Sequence, residues 1–230
     1  MKRLEAVSEN LANSTMPGYR KIQANPKIFD LIYRQAMSDP INWQAGEKYD
    51  PLTVDFTPGP IRSTERPLDF ALKGDGFFVL TKDGKEFYSR DGSFSMDNEG
   101  RLVNSGNLLV KGRNGEIQIP PRTVISNLSV SSDGTLHDGT KVIDTIQFAS
   151  FPDVSKLSRV GPALFAPPAG MKAIEQPETT EVIGRSLEQS NTTVFEEMAE
   201  TISCMRAFEA CQRMIRTQDE AQGKLIQQLG

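Results

Sequence analysis

A chain that performs covalent chemistry needs a positioned base, nucleophile or metal ion, and this one offers few candidates. Histidine is the usual base and ligand near neutral pH; the single one, His137, sits inside a hairpin signal and reads as a strand or turn residue. Acidic side chains gather at Asp91, at Asp97, Asn98 and Glu99, and at Asp133 and Asp138, where several oxygens face the kind of turn that calcium sites use. The spacing D-x-[DN]-x-[DN]-G is missing, however, and Asp-Gly is what tight hairpins need in any case, because their turns require positive φ. Gly74-Asp75-Gly76 falls short of a dinucleotide loop because Val79 stands where the third glycine belongs, and no GxxxxGK[ST] run occurs. Cys204 and Cys211 lie on one helical face with α-carbons roughly 10 Å apart, too far for a disulfide within the chain, and read as reduced core thiols. No catalytic residue, cofactor site or metal ligand set emerges.

The elements around these residues form a pattern of their own. From Leu68 onward short apolar runs alternate with turns at Lys73-Gly74-Asp75-Gly76, Lys82-Asp83-Gly84, Arg90-Asp91-Gly92, Asp97-Asn98-Glu99-Gly100 and Asn114-Gly115. Turns recurring every 8 to 12 residues or so are the signature of a sandwich or barrel. The expected strands are Asp69–Leu72, Phe77–Leu80, Phe87–Ser89, Ser93–Met96, Arg101–Val103, Leu108–Val110, Ile117–Ile119, Leu128–Ser131, Thr135–His137 and Val142–Phe151. The fold class expected is mainly β: a central all-β domain over 62–184, flanked by an N-terminal helix and Pro-Gly turn (1–21), an extended and conditionally ordered linker (22–61), and a long C-terminal helix (185–230).

Both ends carry helical stripes. From Ser190 to Leu229 there is no proline and one glycine, and Cys204, Phe208, Cys211, Ile215, Gln218, Gln222, Leu225 and Leu229 recur at spacings of three and four. Val194, Met198, Ile202 and Met205 make a second, offset stripe, and Ser190 or Asn191 is the expected N-cap. Such a helix spans roughly 55 to 60 Å and outruns a small β-domain, so part of its seam has nothing intramolecular to cover it. Leu4, Val7 and Leu11 repeat the spacing at the front until Met16-Pro17-Gly18 breaks it. Met1 opens onto that stripe without a cap, so the native helix is expected to begin further upstream. Between 19 and 60, Pro26, Pro40, Pro51, Pro58 and Pro60 interrupt any long element.

Composition narrows the function classes. The 230 residues carry a net charge of -4 with both signs interspersed, and no basic run longer than two appears, so nucleic-acid binding is not indicated. No apolar stretch approaches the 18 or so residues of a membrane span, and no cleaved secretory signal is visible.

Asn10-Leu11-Ala12-Asn13 followed by Pro17-Gly18-Tyr19-Arg20-Lys21 resembles the N-terminal signature of bacterial flagellar rod and hook proteins. Leu187-Glu188-Gln189-Ser190-Asn191, Glu197-Met198 and Arg206-Ala207-Phe208-Glu209 look like the start and course of the family's C-terminal helix. Pro67-Leu68-Asp69-Phe70-Ala71-Leu72, Gly74-Asp75-Gly76-Phe77-Phe78 and Tyr88-Ser89-Arg90-Asp91-Gly92-Ser93-Phe94 are similar to core strands of the rod proteins. The resemblance covers nearly the whole chain.

It implies a structural subunit of the basal-body rod, exported unfolded through the flagellar type III apparatus without a cleaved signal, and located in the periplasm-spanning rod. It further implies partners among other rod and hook subunits, self-association, and terminal helices that pair into a coiled coil on assembly and stay wholly or partly disordered before it. The assembly residues expected are Leu4, Val7, Asn10, Leu11 and Asn13 at one end, with Val194, Met198, Ile202, Met205, Phe208, Cys211, Ile215, Leu225 and Leu229 at the other. With no large insertion between Lys21 and Leu68, the chain looks more like a proximal rod protein than a distal rod or hook subunit. From another class, a β-rich calcium- or carbohydrate-binding module with a helical dimerisation handle predicts a measurable ligand; a hydrolase needs convergent carboxylates that the sequence does not identify.

Overall fold

The computed structural model describes residues 2–24, 52–121, 123–177 and 179–229. The Met1 start and most of the expected linker, 25–51, lie outside the described residues. The architecture is mainly β: among the described residues nineteen short strands lie between the helices α1 (Lys2–Asn13) and α2 (Val194–Leu229). The chain divides into two compact units, one of 1–12, 22–53 and 193–230, the other of 13–21 and 54–192.

The second unit is built around the strand Phe77–Lys82, which pairs with Lys85–Ser89, Leu109–Gly112 and Phe148–Ser150 inside a ten-stranded sheet. Its sequence, Phe77-Phe78-Val79-Leu80, is continuously apolar because both of its faces are covered. Phe78 and Leu80 enter one buried cluster with Phe70, Phe94, Leu102, Val110, Ile117 and Leu136. Phe77 and Val79 point the other way, into a cluster with Tyr88, Phe151, Leu157 and Phe165. Phe78 meets Phe94 edge to face, with ring centroids 5.2 Å apart. Asp83 and Gly84, with φ of 51° and 73°, make the two-residue turn between Lys82 and Lys85, and left-handed φ at both positions matches the twist of the strands they join.

Smaller sheets complete this unit: Leu128–Val130 with Thr135–Asp138 and Lys141–Thr145, Phe70–Lys73 with Glu181–Gly184, and Ile61–Ser63 with Ser186–Glu188. The expected single strand Val142–Phe151 is two, Lys141–Thr145 and Phe148–Ser150. At the break Ile146 donates to Gly134 O and Gln147 to Lys111 O, so the chain leaves one sheet and joins another. Ile117–Ile119, expected as a strand, is held by separate backbone bonds to Val110, Leu102 and Gly100, and the strand proper is Gly115–Glu116.

In the first unit α2 runs for 36 residues, about 54 Å at the usual rise. Its cap is Thr193 and not Ser190 or Asn191: Thr193 Oγ1 accepts the Glu196 N–H at 3.3 Å while Glu196 Oε2 accepts the Thr193 N–H at 3.2 Å. This reciprocal T-x-x-E box satisfies two amides that the first turn leaves open. The corrected start follows from what precedes it, since Ser186–Glu188 is paired strand and Ser190 and Asn191 are engaged in turns. Among the described residues no helix is long and apolar enough to cross a membrane.

Candidate functional site

The expected assembly residues fall into three groups. On α1 the buried face is Ala6, Val7 and Asn10; Leu4 is exposed, and Leu11 and Asn13 are half-buried. The buried face is therefore turned about one residue from the Leu4–Val7–Leu11 stripe. On α2, Val194, Met198, Ile202, Met205 and Phe208 are exposed, Phe208 to 60%. Cys211, Ile215, Leu225 and Leu229 belong to the α2 backbone, and their side chains lie outside the described residues.

Polar side chains, which periodicity could not assign, link the two helices. Asn10 Nδ2 donates to Glu197 Oε2 at 3.2 Å, and Glu197 is wholly buried. The same amide clasps a backbone: Nδ2 donates to Ile22 O at 2.7 Å and Oδ1 accepts the Ile22 N–H at 2.8 Å. Asn10 thus acts as a strand partner for Ile22, fixing the chain after the Pro-Gly turn. Closer to the start, Arg3 Nε donates to Glu200 Oε1 at 2.9 Å, and a second guanidinium nitrogen of Arg3 joins the pair. That pair is largely solvated and contributes little.

The face of α2 carrying Glu197 and Glu200 is the one that meets α1. Phe195, Met198, Ile202 and Met205 are set 3-4-3 apart on another face and remain open, Phe195 to 85%. Met214 is exposed as well, but at about 3.6 residues per turn it falls on a different face of the helix. Phe195 and Met214 were not in the sequence stripes because Val194 and Ile215 took the neighbouring places in the count. Large apolar side chains left open along several turns make an exposed apolar patch, the kind of surface that marks interaction sites.

Within the β-unit a second constellation anchors the chain ends. Glu188 is 1% exposed, and its Oε1 accepts from Arg20 Nη2 at 2.6 Å and from the Gly59 N–H at 2.9 Å, while Oε2 accepts from Arg90 Nη1 at 3.2 Å. The Glu188 carbonyl accepts the Gly18 N–H at 2.8 Å. Arg90 also donates to Leu72 O and Gly74 O and lies 5.2 Å over the Phe77 ring. Burial pulls its guanidinium below the ordinary range, Glu188 pulls it back up, and the neighbouring Arg20 charge pushes it down. Asn191 ties the same region: its Oδ1 accepts the Lys21 N–H at 2.7 Å and its Nδ2 donates to Asp55 O at 2.8 Å and Thr57 O at 3.1 Å. The motifs that carry the resemblance are thus position-fixing residues, not reactive ones.

Gly18 shows how tightly the turn is seated. Its φ is +67°, and a β-carbon there meets Asp91 N at 2.2 Å and Arg90 C at 2.3 Å. Gly18→Ala is expected to lower unfolding stability by about 2 kcal/mol or more from strain and contact together, read as a drop in the denaturant midpoint at unchanged slope. Asn10→Ala leaves the Ile22 amide and carbonyl without their partner, an expected loss of about 1–3 kcal/mol; faster exchange of the Ile22 amide, with β-unit amides unchanged, is the matching readout.

The acidic turns look inward. Asp97 Oδ1 accepts the N–H groups of Glu99 and Arg101, Asp91 Oδ1 those of the Ser93 backbone and hydroxyl, and Asp133 both groups of Thr135. These are turn caps in which the carboxylates accept from residues two to four positions on. His137 lies in the strand Thr135–Asp138 with Nε2 3.0 Å from Ser131 Oγ. Among the described residues no group of three or more His, Cys, Asp or Glu side chains has metal-binding geometry.

Two family models match this chain: the flagellar hook protein FlgE/F/G D1 domain over residues 71–137, and the flagellar basal body rod FlgEFG protein C-terminal region over 184–228. The first spans the heart of the β-unit, the second the Glu188 strand and α2. The flagellar basal-body rod protein FlgG of Buchnera aphidicola subsp. Schizaphis graminum is 31% identical, covering 97% of this chain and 93% of that protein. FlgG of Borreliella burgdorferi is 30% identical, over 96% and 90% respectively. The rod protein FlgF of Caulobacter vibrioides is 28% identical, over 100% and 92%. With relatives at 30% and 31% identity across nearly the whole of both chains, the chain belongs to the flagellar basal-body rod protein family and is a structural, non-enzymatic component of the basal body.

Proposed function

We propose that this chain is a subunit of the proximal rod, polymerising through α1 and α2 into the axial shaft that transmits torque. The observation that carries this reading is the open apolar row Phe195, Met198, Ile202 and Met205 on a helix about 54 Å long. Each buried apolar side chain contributes about 1.5–3 kcal/mol when covered, so a row of this kind supplies an interface once neighbouring helices arrive. The helices pair as a coiled coil at the centre of the shaft, Leu4, Val7, Asn10, Leu11 and Asn13 acting with Val194 to Phe208 and the further seam at Cys211, Ile215, Leu225 and Leu229. The β-unit, over 62–184 in the main, makes the lateral contacts that carry load.

Partners are other rod and hook subunits, further copies of the chain, and the type III export apparatus, which passes it unfolded to the periplasm-spanning rod without a cleaved signal. The short connection between Lys21 and Leu68 favours the proximal rod over the distal rod or hook. Deletion of the gene is expected to abolish motility, with basal bodies in electron micrographs that stop at the inner membrane and lack a rod. Basal bodies carrying a full-length rod in the deleted strain contradict the reading, and a rod truncated halfway assigns the chain to the distal segment.

A further inference from the structure

The buried Arg20–Glu188–Arg90 network has a cost that stability alone does not explain. It places two guanidinium groups and one carboxylate out of water, and among the described residues Arg20 Nε, Arg20 Nη1 and Arg90 Nε find no hydrogen-bond partner. Buried ionic networks of this kind are often replaceable by apolar side chains without loss of stability, whereas removing one member alone strands a charge. What the network does achieve is convergence. Arg20 comes from the turn that follows α1, Glu188 from the strand that leads to α2, Gly59 from the segment before Ile61, and Arg90 from the turn after the central hairpin. Next to it the Asn191 amide bonds Lys21, and the Gly18 N–H bonds the Glu188 carbonyl. The points at which the chain leaves the β-unit toward each helix are therefore fastened to each other.

We propose that Glu188 is a positioning residue for assembly: paired with Arg20 and Arg90, it pins together the two exits through which the β-unit holds its terminal helices. Charge-assisted hydrogen bonds, one from each arginine to a different Glu188 oxygen, select one arrangement because each donor must point at its acceptor, whereas apolar packing tolerates slippage. The assembly part of this inference rests on the rod reading; the pin itself does not.

The test uses the full chain. Glu188→Gln keeps the shape and removes the charge, and is expected to speed exchange of the Gly18 and Lys21 amides by about 10- to 100-fold, with amides of the central strand, such as Val79, unchanged. Where that variant fails to fold, the triple replacement Arg20→Met, Glu188→Met and Arg90→Met removes every buried charge together. It is expected to fold with a thermal midpoint near that of the original chain, show the same faster exchange at Gly18 and Lys21, and be absent from basal bodies. Unchanged exchange at those amides in a folded variant overturns the pin. Faster exchange with normal incorporation overturns its role in assembly and leaves the rod reading intact. Absence of the unsubstituted chain from basal bodies overturns the rod reading and leaves the exchange result standing.

Discussion

Phe208→Asp leaves the β-unit folded and removes the chain from the rod. In the isolated chain Phe208 is 60% exposed, so the substitution costs the monomer little, within about 0.5 kcal/mol. In an assembled shaft the same position loses the burial of an aromatic ring, about 1.5–3 kcal/mol, and forces a carboxylate into an apolar seam, on the order of several kcal/mol even after relaxation. The sum is at least about 3 kcal/mol for each contact, a loss of more than about a hundredfold in affinity. It recurs at every copy of the subunit. The checks are a thermal melt of the purified chain, expected to be superimposable on the original, and an immunoblot of purified basal bodies, expected to be blank. Wild-type incorporation of the variant contradicts a seam at Phe208.

Phe78→Ala acts at the opposite pole, through the β-unit itself. Phe78 is fully buried in the cluster that holds Phe94, Leu80 and Leu136, and it makes an edge-to-face contact with Phe94. Truncation leaves a cavity the size of a phenyl ring on the inner side of a strand fixed by three partners. The expected loss is about 3–5 kcal/mol, a large part of the 5–15 kcal/mol or so that holds a domain together. Equilibrium denaturation reads it as a lower midpoint at unchanged slope. A shift smaller than about 1 kcal/mol shows that the site collapses around the smaller side chain.

The parts of this molecule that were legible in the sequence are those governed by local pattern. The turn at Asp83-Gly84 and the strand begun at Phe77 were readable because positive φ and continuous apolar runs leave a direct trace, whereas Asp91-Gly92, expected as a turn, is neither a turn nor at positive φ. The later strands, Ser158–Gly161, Leu164–Ala166 and Glu181–Gly184, were not, because their burial is patchy, the first two pairing with each other through an irregular register and the third with the distant Phe70–Lys73. Cap identity failed because Ser190 and Asn191 are good caps in isolation, but the Ser190 hydroxyl accepts the Thr192 N–H and the Asn191 amide bonds the distant Asp55 and Thr57 carbonyls, leaving Thr193 to pair with Glu196.

Site residues divide along the same line. Val7, Met198 and Ile202 follow a period and could be picked out, although no period says whether a stripe is already covered. Asn10 and Asn13 were selected from the resemblance and Arg20 and Glu188 were quoted within it, but only coordinates show Asn10 bonding Ile22 and Glu197, or Glu188 between two arginines. A charged side chain in a sequence reads as surface. Its burial becomes visible only when the residues that neutralise it, here 98 and 168 positions away, are brought together.

The central claim is that the open face of α2 becomes an interface between axial subunits. A photo-crosslinking amino acid placed at Ile202, half exposed in the isolated chain, tests it in basal bodies isolated from motile cells. The account predicts that irradiation joins this chain to a neighbouring rod subunit through that subunit's own terminal helix, identified by mass spectrometry of the linked peptides. Basal bodies that contain the chain but yield only unlinked subunits, or links to a β-unit alone, contradict it.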